Sequence, residues 1–184
     1  MQNFIDQLNV TTIPNMEDLK IFMDKCKNLG YINNANLKNL KLDFVKENLG
    51  TMHYVYKKDK IIAMSGCHKF VDMGDNAFRV AFRSAQLPKE DVFKGLSKYY
   101  FNSIPWRLCL PLEIQHCLKQ NCNNIYITTN INRHDSRFSK ADRNMQLLTT
   151  FDVVQYVCTK EIYYTEQNVW KLNVDKYLKL RSNL

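Results

Sequence analysis

No stretch of this chain approaches the roughly 20 apolar residues that a helix needs to cross a bilayer. Its opening, MQNFIDQLNVTTIPN, also lacks a basic region followed by an apolar core. These two absences lead us to expect a soluble, cytoplasmic protein with no membrane partner. Six cysteines (26, 67, 109, 117, 122 and 158) are scattered without a CxxC pair, which fits reduced, buried thiols rather than a disulfide framework. No GxSxG and no local Cys/His signature supports a nucleophilic hydrolase. No metal is expected, because Cys67-His68 with Cys117-x4-Cys122 is only a fragment of a ligand set. No linker, repeat or low-complexity run cuts the chain, so residues 1–184 are expected to form one domain.

What is present is a basic chain with ample core material. The 184 residues carry 26 Lys and Arg against 18 Asp and Glu, a net charge of +8, and 45% of them are hydrophobic. The charge implies attraction to a polyanion: nucleic acid, a nucleotide or a phosphorylated cofactor. One local accumulation, Arg133, Arg137, Lys140 and Arg143, follows directly on a β-rich run and can touch an anionic ligand.

The most informative stretch is 78–130. FRVAFRSAQLP (78–88) alternates Phe78, Val80 and Phe82 with Arg79, Ala81 and Arg83, the period of two of a strand, with one apolar face and one carrying two guanidinium groups. SIPWRLCLPLEIQHCLKQ (103–120) places Trp106, Cys109, Leu110, Ile114, Cys117 and Leu118 near helical spacing, with Pro105 at a tolerated first-turn position. NNIYITTN (123–130) is a short β-branched strand. Strand, crossover helix and strand make a βαβ unit whose helix start is suited to binding phosphate.

Around this unit, a helix is expected in EDLKIFMDKCKNL after Pro14, and a short helix or turn in the polar segment 31–50. A hairpin is expected in MHYVYKKDKIIAMSGCHKF, with its turn at 57–60 and its second strand pairing with 78–86 across VDMGDN. The first dozen residues suit an arm or edge strand. A polar connection NRHDSRFSK should precede a helix ADRNMQLLTTF. Two strands are expected in VVQYVCTKEIYYTEQNVWKLNV around Glu166 and Gln167, then a basic tail or short helix. The segment YYTEQNVWKLNV can pair with a second subunit through an exposed edge, making a homodimer, or equally with its own sheet.

This order, a hairpin before β–α–β and α–β–β after it, resembles the GCN5-related N-acetyltransferase (GNAT) fold over 18–177. FRSAQLP, NSIPWR and YYTEQNVWKLN look like segments of small GNAT-like proteins encoded by tailed phages. The resemblance implies a mixed, mostly antiparallel α/β sheet flanked by helices. It implies acetyl-CoA or another acyl-CoA as cofactor, held in an opening between the central strand and the strand after the crossover helix. Carried onto this chain, cofactor contacts would come from Arg83 and Ser84, from Asn102, Ser103, Trp106 and Arg107 at the helix start, and from Asn130 on the far wall. Arg79 and Gln86 would contact substrate.

Two departures accompany the resemblance. The phosphate turn has no glycine, and Pro105 removes one donor amide. Leu148 stands where a tyrosine often protonates the departing thiolate. Tyr164 is taken as the alternative proton donor, and His134 beside Asp135 as the base. Glu113 and His116 read as a surface pair on one helix face. The implied activity is acyl-CoA-dependent N-acyl transfer to an amine whose carrier is open, an anionic acceptor being compatible with the charge. The alternative is a GNAT-like domain without activity that binds nucleic acid or a protein.

Overall fold

A computed structural model describes residues 8–13, 17–18, 20–21, 24, 52–57, 60–84, 105–131, 136–162 and 164–182. Seven strands form one mixed sheet: β1 (Asn9–Ile13), β2 (Met52–Lys57), β3 (Lys60–Lys69), β4 (Ala77–Ser84), β5 (Asn124–Asn130), β6 (Val154–Ile162) and β7 (Thr165–Leu172). Their order is β1-β2-β3-β4-β5-β7-β6. The pairs β1/β2, β2/β3, β5/β7 and β6/β7 are antiparallel. β4 and β5 run parallel from Ala77↔Asn124 to Val80↔Ile127. Among the described residues, helices follow in the expected order at α1 (Leu110–Lys119), α2 (Ser136–Thr149) and α3 (Val174–Ser182). The mixed, mostly antiparallel sheet with helices is the fold class the sequence pattern implies.

The chain divides into two compact units, residues 1–69 with 81–116, and residues 70–80 with 117–184. In the first, β1 pairs with β2, so the N-terminal segment is the edge strand anticipated for it. Residues 17, 18, 20, 21 and 24 are helical, in keeping with the helix expected after Pro14. The segment 31–50 lies outside the described residues. Trp106, Cys109, Leu110 and Ile114 are buried, so the apolar stripe of the expected crossover helix does face a core.

The start of that helix differs from the expectation. Residues Pro105–Cys109 form a π-helical turn, and regular α-helix begins only at Leu110. Pro111 is the physical reason. It has no N–H for the carbonyl four residues back, and its ring crowds that carbonyl, so a wider turn accommodates it.

In the second unit β5 is buried on both faces, with Ile125, Tyr126 and Ile127 all inside, as suits an interior strand. Tyr126 belongs to a cluster with Phe70, Ala77, Ile162 and Val169, and its ring meets Phe70 edge-on at 5.9 Å. α2 packs Met145 and Leu148 inward, one turn apart. It starts at Ser136, so most of the expected polar connection SRFSK is helix; no glycine or proline there breaks it. α1 and α2 end alike. Asn121 (φ 56) and Asp152 (φ 55) take the left-handed conformation. Cys122 N–H then bonds the Cys117 carbonyl and Val153 N–H the Leu148 carbonyl. These are Schellman closures in which Asn and Asp do the work usually given to glycine.

The β6/β7 hairpin turns between Ile162 and Thr165, which pair with each other, not at Glu166 and Gln167 as the sequence suggests. Two-residue hairpin turns need positive φ, and Tyr164 supplies it at φ 63. β7 lies between β5 and β6 and pairs with both, so of the two places expected for this segment it takes the one in its own sheet, and β6 is the edge. Tyr164 is 88% exposed and buries little in return for its strained backbone. Tyr164→Asn should therefore raise unfolding free energy by about 0.5–1 kcal/mol, since Asn tolerates this region better. Urea denaturation reads this directly, and a decrease would show that the tyrosine ring contributes packing.

Candidate functional site

Ligands of sheets with parallel strands gather at the carboxyl ends of those strands, and here the parallel partner β5 ends at Asn130. At that end the second unit has a cavity of about 750 Å3, bordered by Asn130 and Ile131, by Asp142 and Arg143 of α2, and by Thr159, Glu166 and Asn168 of the β6/β7 hairpin. The volume is in the range of small-molecule sites. The hairpin is fixed to β5 by main chain: Ile131 N–H donates to the Glu166 carbonyl at 3.1 Å.

Side-chain hydrogen bonds around the cavity converge on one carboxylate. Asp142 Oδ1 accepts from Thr129 Oγ1 at 3.1 Å and from Asn168 Nδ2 at 2.7 Å. Asp142 Oδ2 accepts from Gln146 Nε2 at 3.2 Å. Behind Thr129, the buried Trp170 Nε1 donates to its hydroxyl at 2.9 Å. Behind Asn168, Thr159 Oγ1 donates to Asn168 Oδ1 at 2.7 Å. Thr159 thereby spends its only hydroxyl proton, so Tyr156 is the donor in the 2.9 Å contact between the two hydroxyls. Every proton in this network points toward Asp142, which holds the carboxylate in one orientation.

Beside this network, Arg79 is only 1% exposed. Its Nε donates to Thr128 Oγ1 at 2.9 Å and its Nη2 makes a long 3.5 Å contact with Gln167 Oε1. The guanidinium expected on a substrate-facing strand surface is thus packed inside the second unit. Burial pushes the Tyr126 phenol above its usual range, with Cys122 and Cys158 adding to the shift, so Tyr126 stays protonated at neutral pH.

The first unit contains a second polar group of residues, and it is enclosed. Glu113 has 0% exposure, which corrects the expectation of a surface pair with His116. Ser65 Oγ donates to Glu113 Oε1 at 2.6 Å. His53 Nε2 lies 3.9 Å from the same oxygen, and its Nδ1 is 3.0 Å from Thr12 Oγ1. Burial, helped by His116, pulls the His53 ring down to about 4, so it is neutral at pH 7. Burial also pushes the Cys109 thiol up to about 12, with the nearby Ser65 hydroxyl opposing the rise and the Glu113 carboxylate adding to it. A thiol so held is a poor nucleophile.

Of the site residues inferred from sequence, Asn130 borders the cavity, and Trp106 and Arg107 share the π-helical turn, the first 1% exposed and the second half-buried. Arg83 and Ser84 end β4. Tyr164 is at the hairpin tip. Gln86, Asn102, Ser103 and His134 lie outside the described residues. Asp142, Glu166, Asn168, Thr129 and Thr159 had no motif to mark them; only the packing of α2 against strands 13 to 26 residues away brings them together.

No protein-family model and no curated protein matches the chain. Its likeness is to solved structures. A protein from Desulfovibrio desulfuricans described as an acetyltransferase of the GNAT family superposes with a TM-score of 0.54 at 9% identity, covering 91% of this chain and 99% of that one. An aminoglycoside acetyltransferase in complex with coenzyme A gives 0.55 at 12% identity, covering 94% and 99%. A spermidine N-acetyltransferase chimera from Vibrio cholerae and hSSAT gives 0.51 at 14% identity, covering 94% and 99%. At these identities the likeness establishes that the chain has the GNAT acetyltransferase fold.

Proposed function

We propose that this protein is an acyl-CoA-dependent N-acyltransferase of the cytoplasm, residues 1–184 forming one catalytic domain and acetyl-CoA being the donor. The observation that carries the reading is the strand order β1-β2-β3-β4-β5-β7-β6, with a single parallel pair among the pairings described above and a helix in the β4-to-β5 connection. That is the arrangement shared with acetyltransferases that are unrelated to one another in what they acylate. The residues assigned to the cofactor are Arg83 and Ser84, Asn102, Ser103, Trp106 and Arg107, and Asn130, with Gln86 toward the acceptor; Arg79, packed inside the second unit, is left out of that contact. In transfer, the amine attacks the thioester carbonyl, the C–S bond breaks, and one proton leaves the amine while one reaches the thiolate. His134 is assigned the first proton and Tyr164 the second. The likeness to phage-encoded proteins rests on FRSAQLP, NSIPWR and YYTEQNVWKLN alone.

Calorimetric titration with acetyl-CoA tests this, with desulfo-CoA and varied salt as controls. Saturable binding near one equivalent is expected, and Arg107→Ala should weaken it about tenfold if its guanidinium meets a phosphate. Pro105 and the π-helical turn favour a second reading, in which the domain has lost cofactor binding and holds nucleic acid, because fewer regular first-turn amides face an anion there. No saturation at millimolar acetyl-CoA, with oligonucleotide affinity falling steeply with salt, would establish that reading instead.

A further inference from the structure

We propose that the groove beside α3 is where a second copy of this chain docks, the two α3 helices packing antiparallel about a twofold axis at Leu178. The inference is independent of the acyl-transfer reading and uses the second unit alone.

The exposed stripe of α3 is the first argument. One side of this nine-residue helix is anchored by the buried Tyr177. Asn173 Oδ1 caps its start, accepting from the Lys176 N–H at 3.1 Å. On another side Asp175, Leu178 and Arg181 follow at intervals of three, a spacing that keeps them on one stripe, and all three are exposed. Each charge suits its own helix dipole, the acid in the first turn and the base in the last. The dipole does not account for the exposed leucine between them.

Self-complementarity is the second. Asp175 and Arg181 stand at equal distances on either side of Leu178, about 4.5 Å along the helix axis. An antiparallel copy centred on Leu178 therefore sets Asp175 against the partner's Arg181 and Arg181 against the partner's Asp175. Leucine meets leucine between the two pairs, and the two helix dipoles oppose each other. Within one helix, six residues is too far for this acid and base to meet.

The groove is the third. A cavity of about 1040 Å3 runs beside the stripe, with Asp175 and Leu178 in its border. Leu118 of α1 and Tyr156 of β6 border it too, and with Leu178 they are 42–48% exposed. Exposed apolar residues are ordinary when scattered; three around one groove make a patch that association would cover. The charges of the border balance, Asp152 and Asp175 against Lys171 and Lys176, although the chain carries +8. Copies of so basic a chain repel one another in general, and this neutral, partly apolar surface is one where they can meet without that repulsion. A nucleic acid finds no excess of positive charge here. The stripe and the groove border make a small interface, so a dissociation constant in the micromolar range is expected.

Sedimentation velocity on the full chain at low salt, from micromolar to millimolar concentration, tests the proposal. The wild type is expected to pass from monomer to dimer, with added salt raising the dissociation constant. Asp175→Arg and Arg181→Asp should each raise it at least about tenfold, because both pairs of the dimer become repulsions. Mixing the two variants should restore a one-to-one dimer, since one chain then carries two bases on the stripe and the other two acids. That restoration also shows that both variants are folded, so the loss in each alone is a loss of docking. Leu178→Glu places two acids on the axis and should abolish association. A wild type that stays monomeric throughout leaves the groove to some other partner and overturns the proposal. A dimer that survives either charge reversal, or a mixture that stays monomeric, overturns it as well.

Discussion

Arg79→Ala is expected to lower the unfolding free energy by about 3 kcal/mol, the sum of a cavity and of stranded hydrogen-bond acceptors. The residue is among the largest of the fully buried side chains, at 1% exposure. Removing it withdraws the donor from Thr128 Oγ1 and the long contact to Gln167 Oε1. Gln167 keeps its own amide bonds to the Ile162 carbonyl and Thr165, each at 3.1 Å, so the part of the loss at Gln167 is small. Against this stands the cost of burying a guanidinium, which is always charged. Arg79→Met separates the two effects: it keeps most of the volume and removes the charge, so its cost should be about half that of alanine. Urea unfolding at pH 7 measures both. An alanine variant within about 0.5 kcal/mol of wild type would mean that relief of the buried charge cancels the rest. A stability loss in both variants would identify Arg79 as part of the framework, whatever role it has toward substrate.

The alternation in FRVAFRS marked β4 correctly but misjudged its second face. Period two says that Arg79 and Phe78 point oppositely; it does not say that both faces are covered, and around Ala77–Val80 both are. The β–α–β signal in 78–130 was legible because each element has its own local pattern, a period of two, a helical stripe, then β-branched residues. Pro111 was the missed local signal: its lack of an N–H sets the π-helical turn that carries Trp106 and Arg107. The hairpin turn was missed for the opposite reason. Tyr163 and Tyr164 have strand-forming side chains, and nothing in their identity announces a residue at φ 63. The same limit applies to the candidate site. Asp142 and Asn168 are separated by 26 positions, and neither lies in a motif. Their meeting depends on α2 starting at Ser136 and on the register Thr129↔Asn168 between β5 and β7. Those are outcomes of packing that no window of sequence contains.

Acidification should weaken the protein through His53, and a His53→Gln variant should be spared that part of the loss. The ring is 5% exposed and is held down to about 4 from an ordinary 6.5, by burial first and by His116 second. The Glu113 carboxylate, 3.9 Å from Nε2, favours the charged ring; burial outweighs it, and the neutral ring keeps its 3.0 Å contact with Thr12. Since the folded state resists protonation more than the unfolded chain does, the contribution of this group is complete above about pH 6.5. It drains away as pH falls through the window down to about 4. After allowance for solvent screening the loss is roughly 2 kcal/mol. Urea unfolding at pH 7 and pH 4.5 should therefore show a larger drop for wild type than for His53→Gln, the carboxylates common to both cancelling in the comparison. Parallel pH curves would mean that Glu113 and the ring exchange protons as a pair, leaving no net titration at His53. A wild-type gain in stability on acidification would mean that the ion pair with Glu113, rather than burial, dominates the ring.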